Sequence, residues 1–178
     1  MKQLFCILFI GGLLFCSNYA LCIKTLENKT ASDTSIISRE YLDIIERTDS
    51  IVWYLLDPMS EDSTVIEMGM MGEILLYKND TLEERCNALK SILAYPQSFA
   101  KCDLVKESTF LPDVSVCFFL EKNIVTFSYS FYCDLCRFER NGKYQDTDGE
   151  LIRKSIIQMA CEIFPKDRYL RNLKRKEK

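Results

Sequence analysis

The chain has 178 residues, with 23 Lys and Arg against 26 Asp and Glu, nine cysteines and no histidine. A net charge of −3 gives no global pull towards a phosphate backbone, and 48% apolar with 28% charged residues is globular composition, not disorder. Without histidine there is no Ser-His-Asp or Cys-His arrangement and no histidine-ligated zinc or haem.

Residues 1–22 read as a secretory signal peptide. Lys2 supplies the positive start, Leu4 to Cys16 is an unbroken run of 13 apolar or glycine residues, and Ala20 and Cys22 are small residues for cleavage after Cys22. An uncleaved anchor is the alternative, but the run is short of the roughly 20 apolar residues that span a bilayer. The expected mature chain is secreted and extracellular, with no transmembrane segment after cleavage.

Cleavage removes Cys6, Cys16 and Cys22 and leaves Cys86, Cys102, Cys117, Cys133, Cys136 and Cys161. An even set in an exported chain implies a disulfide framework, although the sequence does not choose among the 15 pairings. The tripeptides Asn28-Lys29-Thr30 and Asn79-Asp80-Thr81 make Asn28 and Asn79 candidate glycosylation sites.

Residues 23–33 are unpatterned and read as an N-terminal arm, followed by a single disulfide-stabilised domain over 34–165. Ile37, Tyr41, Ile44, Thr48, Val52 and Leu55 recur at helical spacing, which predicts one helix from about Ser35 to Asp57, stopped by Pro58. Trp53 lies off the centre of that stripe and is expected to be half-buried. Val65, Met68, Gly72 and Leu75 suggest a second helix face, with Met68, Met70 and Met71 as core filling rather than a pliable binding surface. Thr81 and Glu84 form a capping box for a helix carrying Leu82, Cys86, Leu89 and Leu93 on one face, closed by Pro96. A short helical segment around Phe99 to Val105 carries Cys102.

Val114 to Tyr132 is rich in β-branched and aromatic residues and reads as two strands turning at Glu121-Lys122-Asn123. The alternative is a helix from Ile124 into Arg140. Thr147 with Glu150 suggests a second capping box, before a helical stripe of Ile152, Ile156, Met159 and Ile163 that Pro165 stops. The basic tail, 166–178, has a net charge of +5. It reads as solvated, with binding of acidic lipid or polysaccharide as the lesser reading.

No catalytic, cofactor-binding or metal-binding residues emerge, and no cofactor is expected. Cys133-Asp-Leu-Cys136 suits structural disulfides better than a redox dithiol or half a zinc site in an oxidising compartment. Asp146-Thr-Asp-Gly149 has the look of a calcium loop, but Tyr144 and Ser155 fall where terminal carboxylates belong, so turn and cap is the better account. No glycine loop or basic-aromatic strip points to nucleic acid.

Tyr132-Cys-Asp-Leu-Cys-Arg-Phe138, the 24-residue gap from Cys136 to Cys161, and Cys161-Glu-Ile-Phe-Pro165 resemble the first helical pair of a saposin-like domain. The resemblance implies a small helical, disulfide-stapled module that binds or perturbs lipids. The expected fold is therefore mainly α, with at most one short β-hairpin, in a small disulfide-stapled secreted domain. The expected function is a non-enzymatic extracellular binding or interaction protein whose partner, a protein or a lipid, is unidentified. The alternatives are a saposin-like lipid-interacting protein and a helical secreted ligand for a cell-surface receptor.

Overall fold

The computed structural model describes residues 37–48, 50–57, 72–99 and 109–177, all within one unit, Ser35–Lys178. Helix α1 (Arg39–Arg47) turns Tyr41, Leu42, Ile44 and Ile45 inward and leaves Arg39, Glu40, Asp43, Glu46 and Arg47 in solvent. The predicted single helix to Asp57 stops at Thr48, and strand β1 (Ser50–Asp57) follows. Two tertiary bonds hold the break: Thr48 Oγ1 donates to the Phe119 carbonyl at 2.5 Å, and Lys90 Nζ donates to the Thr48 carbonyl at 2.6 Å.

The physical reason is the run Ile51 to Leu56, apolar at every position. A helix would leave part of it in water, whereas a strand lying between two others buries all six residues. Trp53, expected to be half-buried, is fully enclosed.

Strand β2 (Glu73–Asp80) precedes helix α2 (Glu83–Ala94) and a short 3-10 turn, Pro96–Ser98. Strands β3 (Val114–Leu120), β4 (Asn123–Ser130), β5 (Leu135–Arg140) and β6 (Lys143–Asp148) come next. A second 3-10 turn, Glu150–Ile152, leads into α3 (Arg153–Ile163), and α4 (Arg168–Lys176) ends the described chain. The strands form one antiparallel sheet in the order β2-β1-β3-β4-β5-β6.

Register builds the core in rows. Trp53, Val116, Phe127 and Phe138 stand side by side across four strands, and Leu55, Val114, Tyr129 and Cys136 form the next row. These rows belong to one apolar cluster with Ile45 of α1, Leu89 and Leu93 of α2, and Ile156 and Ile157 of α3. The other face carries a smaller cluster of Val52, Tyr54, Leu56 and Cys117, beside the buried Ser115 and Ser128 hydroxyls, 2.6 Å apart.

The mainly helical expectation is therefore corrected to a six-stranded antiparallel sheet with helices against one face. The Val114–Tyr132 hairpin does form, as β3 and β4. The segment behind the saposin-like resemblance folds as a turn, β5, β6 and α3, so its first half is strand and not helix. Asn141-Gly142 is the reason: φ values of 52° and 74° close a two-residue hairpin between β5 and β6.

The disulfide staple is corrected too. Among the described residues no disulfide joins Cys86, Cys117, Cys133, Cys136 or Cys161, and Cys102 lies outside them. Cys117 lies in the row of Val52 and Thr126 on one face of the sheet, while Cys136, beside Tyr129, points to the other. The sheet itself separates them. Neither expected capping box forms. Leu82 N–H donates to Asp80 Oδ1 at 3.2 Å, and Glu150 N–H donates to Asp148 Oδ1 at 2.8 Å. In both places an aspartate instead closes a local turn on the N–H two residues on, and neither helix has a side-chain cap.

Candidate functional site

Three consecutive exposed apolar residues lie on β2. Its inner edge pairs with β1 from Asp80 opposite Ile51 to Glu73 opposite Asp57. The register slips where Leu55 faces Leu76 and Leu56 faces Ile74, so Leu75 forms a bulge. Among the described residues no strand borders the outer edge. Along it Leu75 is 51% exposed, Leu76 52% and Tyr77 71%.

Two features shape this edge. The Tyr77 ring stacks on Tyr54 of β1, with centroids 6.2 Å apart and planes 30° from parallel. Beside β2 lies a groove of about 310 Å³, lined by Leu76, Tyr77, Lys78, Ile163, Phe164 and Pro165. Lys78 Nζ crosses to the Ile163 carbonyl at 3.5 Å, fixing the strand to the end of α3. The groove is thus an apolar trough beside a strand edge that no other strand borders among the described residues.

The corner after β2 is held by charge. Asp80 is buried and takes two bonds from Arg85, Nε at 2.8 Å and Nη2 at 2.6 Å, while Arg85 Nη1 lies 3.6 Å from Glu162 of α3. Burial alone pushes the Asp80 carboxyl up, but Arg85 and the Leu82 N–H outweigh it and hold the group below the ordinary carboxylate value. The Trp53 indole N–H faces Asp80 and adds to this, although it falls short of a hydrogen bond. Burial raises the Cys86 thiol next to it.

A second polar cluster ties the β4–β5 turn to α3 and α4. Arg153 donates to the Phe131 carbonyl at 2.8 Å, to Asp134, and to Glu177 Oε1 at 2.7 Å. Tyr129 donates its hydroxyl to the Gly149 carbonyl at 3.0 Å and to Asp134 at 3.2 Å, and burial raises its phenol. Asp113 accepts the Phe131 N–H at 2.6 Å, and its carboxyl is raised by burial that this bond and the nearby Tyr169 hydroxyl only partly offset. On the open face of the sheet, Arg137 sits between the Phe110 and Tyr144 rings at 4.5 and 4.1 Å while gripping Asp146. In each case arginine or backbone donors engage the acids, which braces the fold.

The sequence-derived residues are spread over the molecule. Cys86 is half-buried on α2, Cys117 on β3 bonds Thr126 at 3.5 Å, Cys133 lies in the β4–β5 turn, and Cys136 and Cys161 are buried on β5 and α3. Asn79 is exposed on β2, and Asn28 lies outside the described residues, as do Met68, Met70 and Met71. Among the described residues, no three His, Cys, Asp or Glu side chains gather as a metal site, and no helix is long and apolar enough to cross a membrane.

Sequence reasoning missed Leu75, Leu76 and Tyr77 as an edge by placing Leu75 on a helix. The signal was the run Ile74 to Tyr77 between Gly72 and Asn79-Asp80, apolar residues bounded by turn formers. Searches for similarity found no protein-family model, no curated protein and no solved structure that matches the chain.

Proposed function

We propose that the chain is a secreted, non-enzymatic binding protein that receives an extended segment of a protein partner along the outer edge of β2. The observation that carries this reading is the exposure of Leu75, Leu76 and Tyr77 on a strand edge with no strand neighbour among the described residues. Native proteins guard such edges with proline, inward charges or short strands, because open backbone groups invite another strand. β2 carries two lesser guards, the Leu75 bulge and Lys78, yet keeps the apolar centre Leu75 to Tyr77 exposed. An added strand gains main-chain bonds from the edge, and its alternate side chains meet the groove below Leu76. Export is part of this proposal and rests on the signal-peptide pattern read in residues 1–22.

The test is to pan the purified secreted chain against a peptide library and follow amide hydrogen exchange with each selected peptide. Selected peptides are expected to slow exchange within residues 73–80 and to lose binding to Leu76→Lys, whose melting temperature stays at the wild-type value. Protection found only elsewhere, or peptides indifferent to Leu76→Lys, overturns the reading.

A further inference from the structure

The last helix carries more charge than its own stability asks for. Leu170 and Leu173 fix α4 to the body, both buried. At about 100° per residue, Arg168, Arg171 and Arg175 then share a stripe about 60° wide on the side away from those leucines, spread over about 10 Å. All three are exposed, as are Lys166, Lys174 and Lys176 around them.

The acids bracketing α4 are engaged elsewhere. Asp167 accepts the Leu170 N–H at 2.8 Å as the N-cap, and Glu177 is bound by Arg153. Arg171 reaches the carbonyls of Asp167 and Lys166 at 3.1 and 3.4 Å, which orients its guanidinium without neutralising it. Among the described residues no carboxylate pairs with any of the three arginines.

The helix dipole welcomes Lys174, Arg175 and Lys176 in the last turn, but Arg168 stands in the first turn, where a cation is unfavourable. Arg168 with Arg171, and Arg171 with Arg175, are like-charge neighbours at three- and four-residue spacing, which also works against the helix. A bound polyanion reverses each of these penalties.

We propose that this arginine stripe binds a linear sulfated polysaccharide, each guanidinium meeting a sulfate through paired N–H donors. The groove beside β2 reaches only Lys166 and Asp167 at the start of this segment, so the arginine stripe goes beyond that reading. Residues 166–178 carry +5 while 23–165 carry −9, so the positive field is concentrated at this end. A membrane-surface helix buries a free apolar face in lipid, and α4 has already committed Leu170 and Leu173 to the core. For a chain with an export leader, the polyanions met are extracellular, which favours polysaccharide over nucleic acid.

The test uses the full secreted chain and a heparin-derived octasaccharide. Binding is expected at about 50 mM salt and weakens by on the order of 20-fold by about 200 mM, as release of counterions from three neutralised charges requires. Arg168→Gln with Arg175→Gln keeps the backbone bonds of Arg171 and is expected to lose about tenfold in affinity and to flatten that salt dependence. Lys122→Gln, in the β3–β4 turn, and Leu76→Gln, which adds no charge beside Lys166, are expected to bind as wild type, so failure here is distinct from failure at β2. If the double variant melts early, Arg175→Gln alone replaces it, with a smaller loss of the same kind. No binding, equal binding by the variants, or equal affinity for phosphatidylserine vesicles or duplex DNA overturns the proposal.

Discussion

Arg85 holds the buried Asp80 carboxylate with two parallel N–H donors at the point where β2 gives way to α2. Removing one partner of such a pair leaves an uncompensated buried charge, so Asp80→Leu is expected to cost about 3 kcal/mol. The acid limb follows from the sign of the shift. The folded carboxyl lies below the unfolded value of 3.8, so its contribution is complete above that pH and is lost as pH falls further. Urea unfolding at neutral pH and below pH 3.8 checks both, since the cost of Asp80→Leu must shrink on acidification.

Asp113 has the opposite sign. Burial raises its carboxyl above 3.8 in the folded chain, so its contribution is full below that pH and is lost as pH rises through the folded value. Asp113→Asn keeps an acceptor for the Phe131 N–H and removes the titration. Relative to wild type, this variant is expected to be least favourable in acid and to gain as pH rises towards neutrality. A difference that stays flat in pH, measured by the same urea series, refutes the assignment.

The sequence made the helices readable and hid most of the sheet, for reasons visible in particular residues. α1 begins where the amphipathic stripe of Tyr41, Ile44 and Ile45 begins, because one polar and one apolar face can be told apart by spacing alone. β1 lost its identity because Val52 and Leu55 also fit the helical period, and an apolar run buried on both sides has no alternation to reveal a strand. β5 and β6 are short and charged, and Asn141-Gly142 was legible as a break before it was legible as a hairpin turn. The candidate edge followed β1 into obscurity, since β2 is an edge only once β1 is a strand. The six cysteines pointed to bridges because composition says nothing of which face of a sheet each one occupies.

The described thiols differ sharply in surroundings, which makes their chemistry a check on the fold. Cys117 is buried on β3, and burial pushes its thiol up to about 11. The thiolate is the reactive form, so Cys117 is expected to resist alkylation at pH 8, along with the fully enclosed Cys136. Half-buried Cys133 is expected to react first. Timed alkylation read by mass spectrometry gives the order, and all five thiols must label once the chain is unfolded without reductant. Labelling of Cys117 as fast as Cys133, or thiols that appear only after reduction, contradicts this structure.

Asn79 joins the sequon to the proposed edge. It is exposed on β2, two residues beyond Tyr77 and opposite Val52, so a glycan there rises from the same edge that a partner strand must approach. A bulky polar chain at that place guards an apolar edge in the way that charge or proline guards others. A glycan at Asn79 and a strand added to β2 would therefore compete for space. Chain secreted from a eukaryotic host is expected to lose the mass of one glycan on Asn79→Gln, and the variant is expected to bind β2-directed peptides severalfold more tightly or to self-associate. Enzymatic removal of the glycan from wild type must reproduce the gain, because that treatment leaves the remaining sequence untouched. An unchanged mass in the variant shows Asn79 to be unmodified, and an unchanged affinity after deglycosylation shows that the sugar does not shield β2.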